Sequence, residues 1–297
     1  ISACLVGSEM CIRDRSNINL EIPSAQIKSG LLLASLYING KTKITENKIT
    51  RDHTERMIEN FGGGIRYGDC LNQGVISLHN CELSSKKSYN IPGDFSSAAF
   101  VIVASIISKN SEVLIKNVGL NKTRNGLLKI LSLMGADIKI KNKRLSSNEE
   151  VGDILVKSSN LNGIDVPEEM IPNIIDEIPI LSIAASFAKG ETTITNAAEL
   201  RVKESDRLNG ISEGLKKLQI VHQTFEDGIS IKGTSREIYC DSPIESFGDH
   251  RIAMSFLISG IRSKNSVCVL NCKNIETSFP NFRHIMNSLG MKIDEKN

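Results

Sequence analysis

The sequence predicts an α+β fold of repeated βαβαββ units, arranged as two domains of which the first is incomplete. Three observations carry this expectation. The same order of segments recurs four times with a period of about 75 residues. Each recurrence holds one helix that is apolar nearly all round and one that is apolar on a single face. A turn-forming Ile91-Pro92-Gly93 stretch, following the polar segment 84–90, separates the first recurrence from the other three.

In chain order, the apolar helices are predicted over 25–37, 96–108, 176–188 and 249–261. A Gly or Asn turn and a short β-branched strand follow each one, read as GKTKI, NSEVLI, GETTI and NSVCVL. The second helices are HTERMIENFG, NGLLKILSLMG, DRLNGISEGLKKL and NFRHIMNSLG. Three of them end at Gly62, Gly135 or Gly290, where glycine accepts the left-handed turn that closes a helix. Strands at Ile65, Ile138, Ile220 and Ile293 come next, and three repeats add VISLHN, DILVKSS and GISIKG. The fourth lacks its last strand. Helices apolar all round are expected inside and one-sided helices outside.

The stretch 1–15 has no periodicity and starts at Ile1, so it reads as an unrelated leader on a truncated reading frame. Residues 16–91 read as the last repeat of an N-terminal domain whose beginning is absent, and 92–297 as a C-terminal domain of three repeats.

A formal net charge of +2 over 297 residues removes the basic footprint of a general nucleic-acid binder. The seven cysteines form no C-x-x-C pair and are odd in number, which fits reduced thiols better than a disulfide frame or a zinc site. No apolar run approaches the roughly 18 residues of a membrane span. The N-terminus lacks the order of a signal peptide. The expectation is a cytoplasmic protein without membrane or nucleic-acid partners. His53, His79, His222 and His284 have no ligand spacing, so no metal is expected.

Polar residues gather at the helix starts: Ser24-Ala25-Gln26, Asp94-Phe95-Ser96-Ser97, Asp176-Glu177 and Asp249-His250-Arg251 for the apolar helices; Thr50-Arg51-Asp52, Thr123-Arg124, Lys203-Glu204-Ser205-Asp206-Arg207 and Thr277-Ser278 for the others. Asp94, Thr123, Asp249 and Ser278 are expected to serve as N-caps. Arginines are different, because a cation in the first turn opposes the helix dipole. Arg51, Arg207 and Arg251 at equivalent places point to an anion held jointly by backbone N–H groups and guanidinium forks. The alternative is pairing with neighbours such as Asp52, Asp206 or Asp249.

The segments LRVKESDRL (200–208), DHRIAMSF (249–256), PSAQIKSGLLLA (23–34), TRDHTERM (50–57) and PGDFSSAAF (92–100), with IDEIPIL and TSFPNF, resemble the 3-phosphoshikimate 1-carboxyvinyltransferase family. The SAQ and TRDHTE sequences are similar to its second subclass, and the likeness runs from about Asn19 onward. The resemblance implies the enolpyruvyl transferase fold, two domains of three βαβαββ units each. It implies transfer of the enolpyruvyl group of phosphoenolpyruvate to the 5-hydroxyl of shikimate 3-phosphate, with release of phosphate, in the shikimate pathway of aromatic amino acid biosynthesis. Neither metal nor organic cofactor is implied, and the full-length protein is expected to be a monomer.

By the same resemblance, Asp176 takes the hydroxyl proton, Glu204 protonates the methylene carbon and Lys203 lies near both substrates. Arg207 and Arg251, with Gln26, hold phosphoenolpyruvate. Ser24, Ala25, Gln26 and Arg51, with Asp176 and Lys203, hold shikimate 3-phosphate. Two departures stand out. Thr277 occupies the place of a lysine found in the other subclass, and the family's K-S-x-x-x-R and G-N-x-G-T elements are not in the sequence. The chain alone is therefore expected to be inactive and to bind weakly. Two other readings are a UDP-N-acetylglucosamine 1-carboxyvinyltransferase, whose reactive-loop cysteine is not identifiable here, and a non-catalytic anion-binding remnant.

Overall fold

The computed structural model describes residues 16–22, 24–38, 40–68, 74–79, 82–85 and 88–295. The leader over 1–15, Pro23, and Cys4, Cys11, Cys70 and Cys81 lie outside them. The chain divides into two compact units, one of 1–92 with 144–150 and the other of 93–143 with 151–297.

The first unit runs β1 (Ser16–Leu20), α1 (Ala25–Ser35), β2 (Lys41–Glu46), α2 (His53–Asn60), β3 (Gly64–Tyr67) and β4 (Gly74–His79). Its sheet has the order β1-β2-β4-β3, with β1 and β2 parallel and β4 antiparallel to both of its neighbours. Leu20, Leu32, Ile44, Ile58, Ile76 and Leu78 form its core. The loop residues Ser147 and Asn148 join this unit: Arg56 Nη1 donates to the Asn148 carbonyl at 3.3 Å, and Tyr89 Oη donates to that of Ser147 at 3.2 Å.

The second unit repeats the pattern three times around one large core. The first pass contains α3 (Phe95–Ile107), β5 (Glu112–Gly119), α4 (Gly126–Leu133), β6 (Ile138–Ser146) and β7 (Glu149–Lys157). Next come α5 (Ile171–Ile174), α6 (Ile178–Ser186), β8 (Glu191–Ile194), α7 (Arg207–Lys217), β9 (His222–Thr224) and β10 (Ile229–Lys232). The last pass holds β11 (Ile244–Glu245), α8 (His250–Ser259), β12 (Val269–Leu270), α9 (Ile275–Ser278) and α10 (Phe282–Ser288). The sheets β5-β7-β6 and β8-β10-β9 follow the order β2-β4-β3 of the first unit, so the repeat is one of topology as well as of sequence. Gly62, Gly135 and Gly290 all have positive φ after their helices, and Gln219 adopts the same turn in the remaining repeat.

Burial separates the units. In α3 every residue but Ser97 is buried, and α6 is buried throughout. The helix α1 departs from the all-round burial expected of it: only Lys28, Leu32 and Ser35 are buried, while Ile27 and Leu33 are half exposed. Its residues at i, i+4 and i+7 pack on one side alone, and a small six-residue core covers no more than that.

Other expectations also need correction. The apolar helices predicted over 25–37 and 249–261 end earlier, at Ser35 and Ser259, the latter passing into a 3₁₀ turn. The one predicted over 176–188 begins as a 3₁₀ turn, Ile175–Glu177, because Pro179 has no N–H to donate and favours the first turn of a new helix. Ile293 is in no strand and Ile220 lies just before β9. Thr123 does not cap α4; its N–H and hydroxyl both bind Asn121 Oδ1. Ser278 ends α9 instead of starting the helix after it, whose N-cap is Asn281. Asp94 and Asp249 do cap, accepting from Ser97 N and from Arg251 N and Ile252 N. Among the described residues no helix is long and apolar enough to cross a membrane.

Candidate active site

Four chain segments of the second unit bring charged side chains to one place. The 3₁₀ turn Ile175–Glu177 supplies Asp176 and Glu177. The turn before α4 supplies Arg124, the start of α7 supplies Lys203, Glu204 and Arg207, and the start of α8 supplies Asp249 and Arg251. Two glycines permit the approach. A Cβ at Gly126 would stand 2.7 Å from Ile174 Cγ2, so only glycine lets α4 close on the segment leading into Asp176. A Cβ at Gly214 would fall within the Phe256 ring, so α7 packs against α8 through a bare backbone.

Asp176 is the centre. Its Oδ1 lies 3.3 Å from Arg207 Nη1 and 3.8 Å from Lys203 Nζ; its Oδ2 lies 3.3 Å from Arg124 Nη1 and 4.0 Å from Arg251 Nη2. Arg207 is fully buried, and its three nitrogens each meet a different carboxylate. Nε donates to Asp249 Oδ2 at 2.8 Å, Nη1 faces Asp176, and Nη2 donates to Glu204 Oε2 at 2.5 Å. Lys203 also pairs with Glu199. The Arg251 Nη1 donates to the Asp176 carbonyl at 2.9 Å and to Glu177 Oε1 at 3.3 Å.

The two buried acids beside this centre are perturbed in opposite directions. Burial pushes the Glu177 carboxyl above its ordinary range, against the opposing pull of Arg124, Arg251 and the Ser96 hydroxyl, which donates to Glu177 Oε1 at 2.6 Å. Burial also acts to raise Asp249, but the Arg207 guanidinium and two backbone N–H donors outweigh it and hold the carboxyl below its usual range. The difference follows from geometry: Asp249 has two donors on one oxygen and a guanidinium on the other, whereas Glu177 Oε2 is buried without a hydrogen-bond partner.

Asp176, Lys203, Glu204, Arg207 and Arg251, singled out in the sequence, therefore share one cluster. Ser24, Ala25, Gln26 and Arg51 lie in the first unit, where Ser24 Oγ accepts from Ile27 N at 3.4 Å and caps α1. Arg51 precedes the N-cap Asp52, so it is not a first-turn cation as Arg207 and Arg251 are. The alternative of neighbour pairing holds at Arg207 through Asp249, while Asp52 pairs with Arg56 and Asp206 with Arg201. Arg124, Glu177 and Ser96, which the sequence places at helix starts without a role, join the same cluster. The signal for Arg124 was present, since Thr123-Arg124 repeats the Thr50-Arg51 doublet ahead of an outer helix. Thr277 makes a local bond to the Asn274 carbonyl at 2.9 Å. Among the described residues no group of His, Cys, Asp and Glu is arranged to hold a metal ion.

An acid–base cluster of this make-up, on stacked βαβαββ repeats, defines the class. The fold is that of the enolpyruvyl transferases: the chain superposes on the enolpyruvyl transferase NikO of Streptomyces tendae with a TM-score of 0.73, covering 96% of this chain and 65% of that one at 14% identity. On an EPSP synthase from Acinetobacter baumannii the TM-score is 0.89 at 41% identity, covering 95% and 64%.

The family model for EPSP synthase (3-phosphoshikimate 1-carboxyvinyltransferase) matches residues 10–286, and the chain belongs to that family. It is 47% identical over 272 residues to the 3-phosphoshikimate 1-carboxyvinyltransferase of Legionella pneumophila (strain Corby), covering 92% of this chain and 61% of the relative. It is 48% identical over 268 residues to that of Petrotoga mobilis, covering 90% and 61%. The chain thus spans 61% of the length of these curated relatives.

Proposed function

We propose that the chain carries the acid–base and anion-binding residues of enolpyruvyl transfer from phosphoenolpyruvate to the 5-hydroxyl of shikimate 3-phosphate. The observation that carries the reading is the Asp176 carboxylate ringed by Lys203, Arg207 and Arg251, with Glu204 on the same guanidinium. Asp176 accepts the hydroxyl proton as the oxygen bonds to C2 of phosphoenolpyruvate, and Glu204 delivers a proton to C3. The tetrahedral adduct then loses phosphate: a proton leaves C3, the C2–C3 double bond re-forms and the C2–O bond to phosphate breaks. Two carboxyl groups in different settings can divide these roles, since Glu204 is half exposed and Asp176 is largely enclosed by cations.

In this reading Arg207 and Arg251, with Gln26, grip phosphoenolpyruvate. Ser24, Ala25, Gln26 and Arg51 hold shikimate 3-phosphate together with Asp176 and Lys203. Each charge-assisted contact contributes about 1.5–3 kcal/mol. The reaction serves the shikimate pathway, and the reading includes a cytoplasmic, monomeric protein. Equilibrium dialysis with labelled phosphoenolpyruvate, with shikimate 3-phosphate present, tests it. Saturable binding that Arg251→Gln abolishes supports the reading. Retention by the variant equal to that of the parent, in a titration carried to ligand concentrations that saturate weak binding, removes it.

A further inference from the structure

The first unit contains a buried charge network outside the acid–base cluster. Lys28 is 1% exposed, Glu46 is 1% and Glu55 is 0%. The Lys28 ammonium lies 3.0 Å from Glu46 Oε1 and 2.8 Å from Glu55 Oε1, and it donates to the Thr50 carbonyl at 3.4 Å. Thr50 Oγ1 donates to the other Glu46 oxygen at 2.6 Å. Burial pushes the Glu55 carboxyl up, against the lowering pull of Lys28.

A triad like this is an inefficient way to gain stability, because removing three ionisable groups from water offsets most of their attraction. Well-packed apolar side chains would serve at least as well. What it supplies is a fixed geometry. Lys28 N closes the first turn of α1 on the Ser24 carbonyl at 3.0 Å, and the same residue's ammonium reaches the carbonyl immediately before Arg51. A second link ties α1 to the start of α2, with Ser29 Oγ and Thr54 Oγ1 2.6 Å apart. Gly74 leaves room for the network: a Cβ there would stand 2.6 Å from Glu46 Cγ and Oε1.

We infer that Lys28, with Glu46 and Glu55, is a positioning residue that fixes Arg51 against the Ser24–Ala25–Gln26 turn so that both engage one phosphate-bearing ligand. The inference rests on the assignment of those residues to shikimate 3-phosphate.

The test is a titration of the isotope-labelled chain with shikimate 3-phosphate, followed by amide NMR, in the parent protein and in Gly74→Ala, Lys28→Met and Lys28→Arg. A methyl group at Gly74 presses on Glu46 Cγ and Oε1 and shifts that carboxylate off Lys28; Gly74→Ala is expected to leave a folded first unit with a lowered thermal midpoint and to weaken binding about tenfold. Lys28→Met is expected to weaken binding at least as much, with partial recovery in Lys28→Arg. A purely structural triad would lower stability and leave the affinity of the folded protein unchanged. Unchanged affinity in a folded Gly74→Ala or Lys28→Met protein overturns the inference, and Gly74→Ala decides the matter if Lys28→Met does not fold. If the parent protein shows no shifts at residues 24–26 and 51, the binding assignment fails instead, whatever the variants do.

Discussion

Arg207 Nε lies 2.8 Å from Asp249 Oδ2, and neither side chain is exposed to solvent. The carboxylate holds the side chain of one arginine and, through the backbone N–H of residue 251, starts the helix that carries another. Removing one partner of such a buried pair leaves an uncompensated charge and costs about 3–5 kcal/mol. Asp249→Ala is therefore expected to lose that much stability in urea denaturation.

The pH dependence of stability follows from the same residue. Since the folded value of Asp249 is depressed, its contribution is fully present above the ordinary carboxylate range and is lost as pH falls through the folded value. Denaturation curves below about pH 4 should thus be steeper in pH for the parent protein than for Asp249→Asn.

Glu177 runs the other way. Its raised value means the folded state holds a proton more tightly than the unfolded chain, so the group favours folding at low pH and opposes it above its folded value. Glu177→Gln is expected to raise the thermal midpoint more at pH 8 than at pH 5. An equal shift at both pH values would contradict this account of its burial.

Gly214→Ala places a methyl group in the Phe256 ring and should cost about 1–3 kcal/mol by overpacking. Because Gly214 and Arg207 share α7, phosphoenolpyruvate binding should weaken as well, which a combined thermal melt and dialysis measurement would register.

Burial, then the neighbouring Cys268 and Glu245, pushes the Cys272 thiol up to about 11. At pH 8 only about a thousandth of it is thiolate, so alkylation by iodoacetamide should be far slower than that of an ordinary cysteine. Mass spectrometry of a timed reaction checks this directly.

The repeat was legible because its signals are local: helix-ending glycines at 62, 135 and 290, and a periodicity that sorts buried from one-sided helices. The shortened β12 and the missing strand at Ile293 were not legible, since β-branched runs such as NSVCVL read as strands whether or not a partner strand exists. At the site, the conspicuous residues at helix starts could be named from sequence. The part played by Glu177 could not, because its surroundings depend on Ser96, Arg124 and Arg251, which lie 81, 53 and 74 positions away. The burial of Lys28 is hidden for a similar reason: its partners Glu46 and Glu55 lie 18 and 27 positions away, and nothing local marks it as wholly buried.

The account stands most directly on one site that joins Asp176, Lys203, Glu204, Arg207 and Arg251. An amide NMR titration of the chain with phosphoenolpyruvate measures that claim. The account predicts saturable shifts clustered at 176–178, 203–207 and 249–252 that vanish in Arg251→Gln while the rest of the spectrum is kept. Shifts confined to other parts of the chain, or persisting unchanged in that variant, would contradict it.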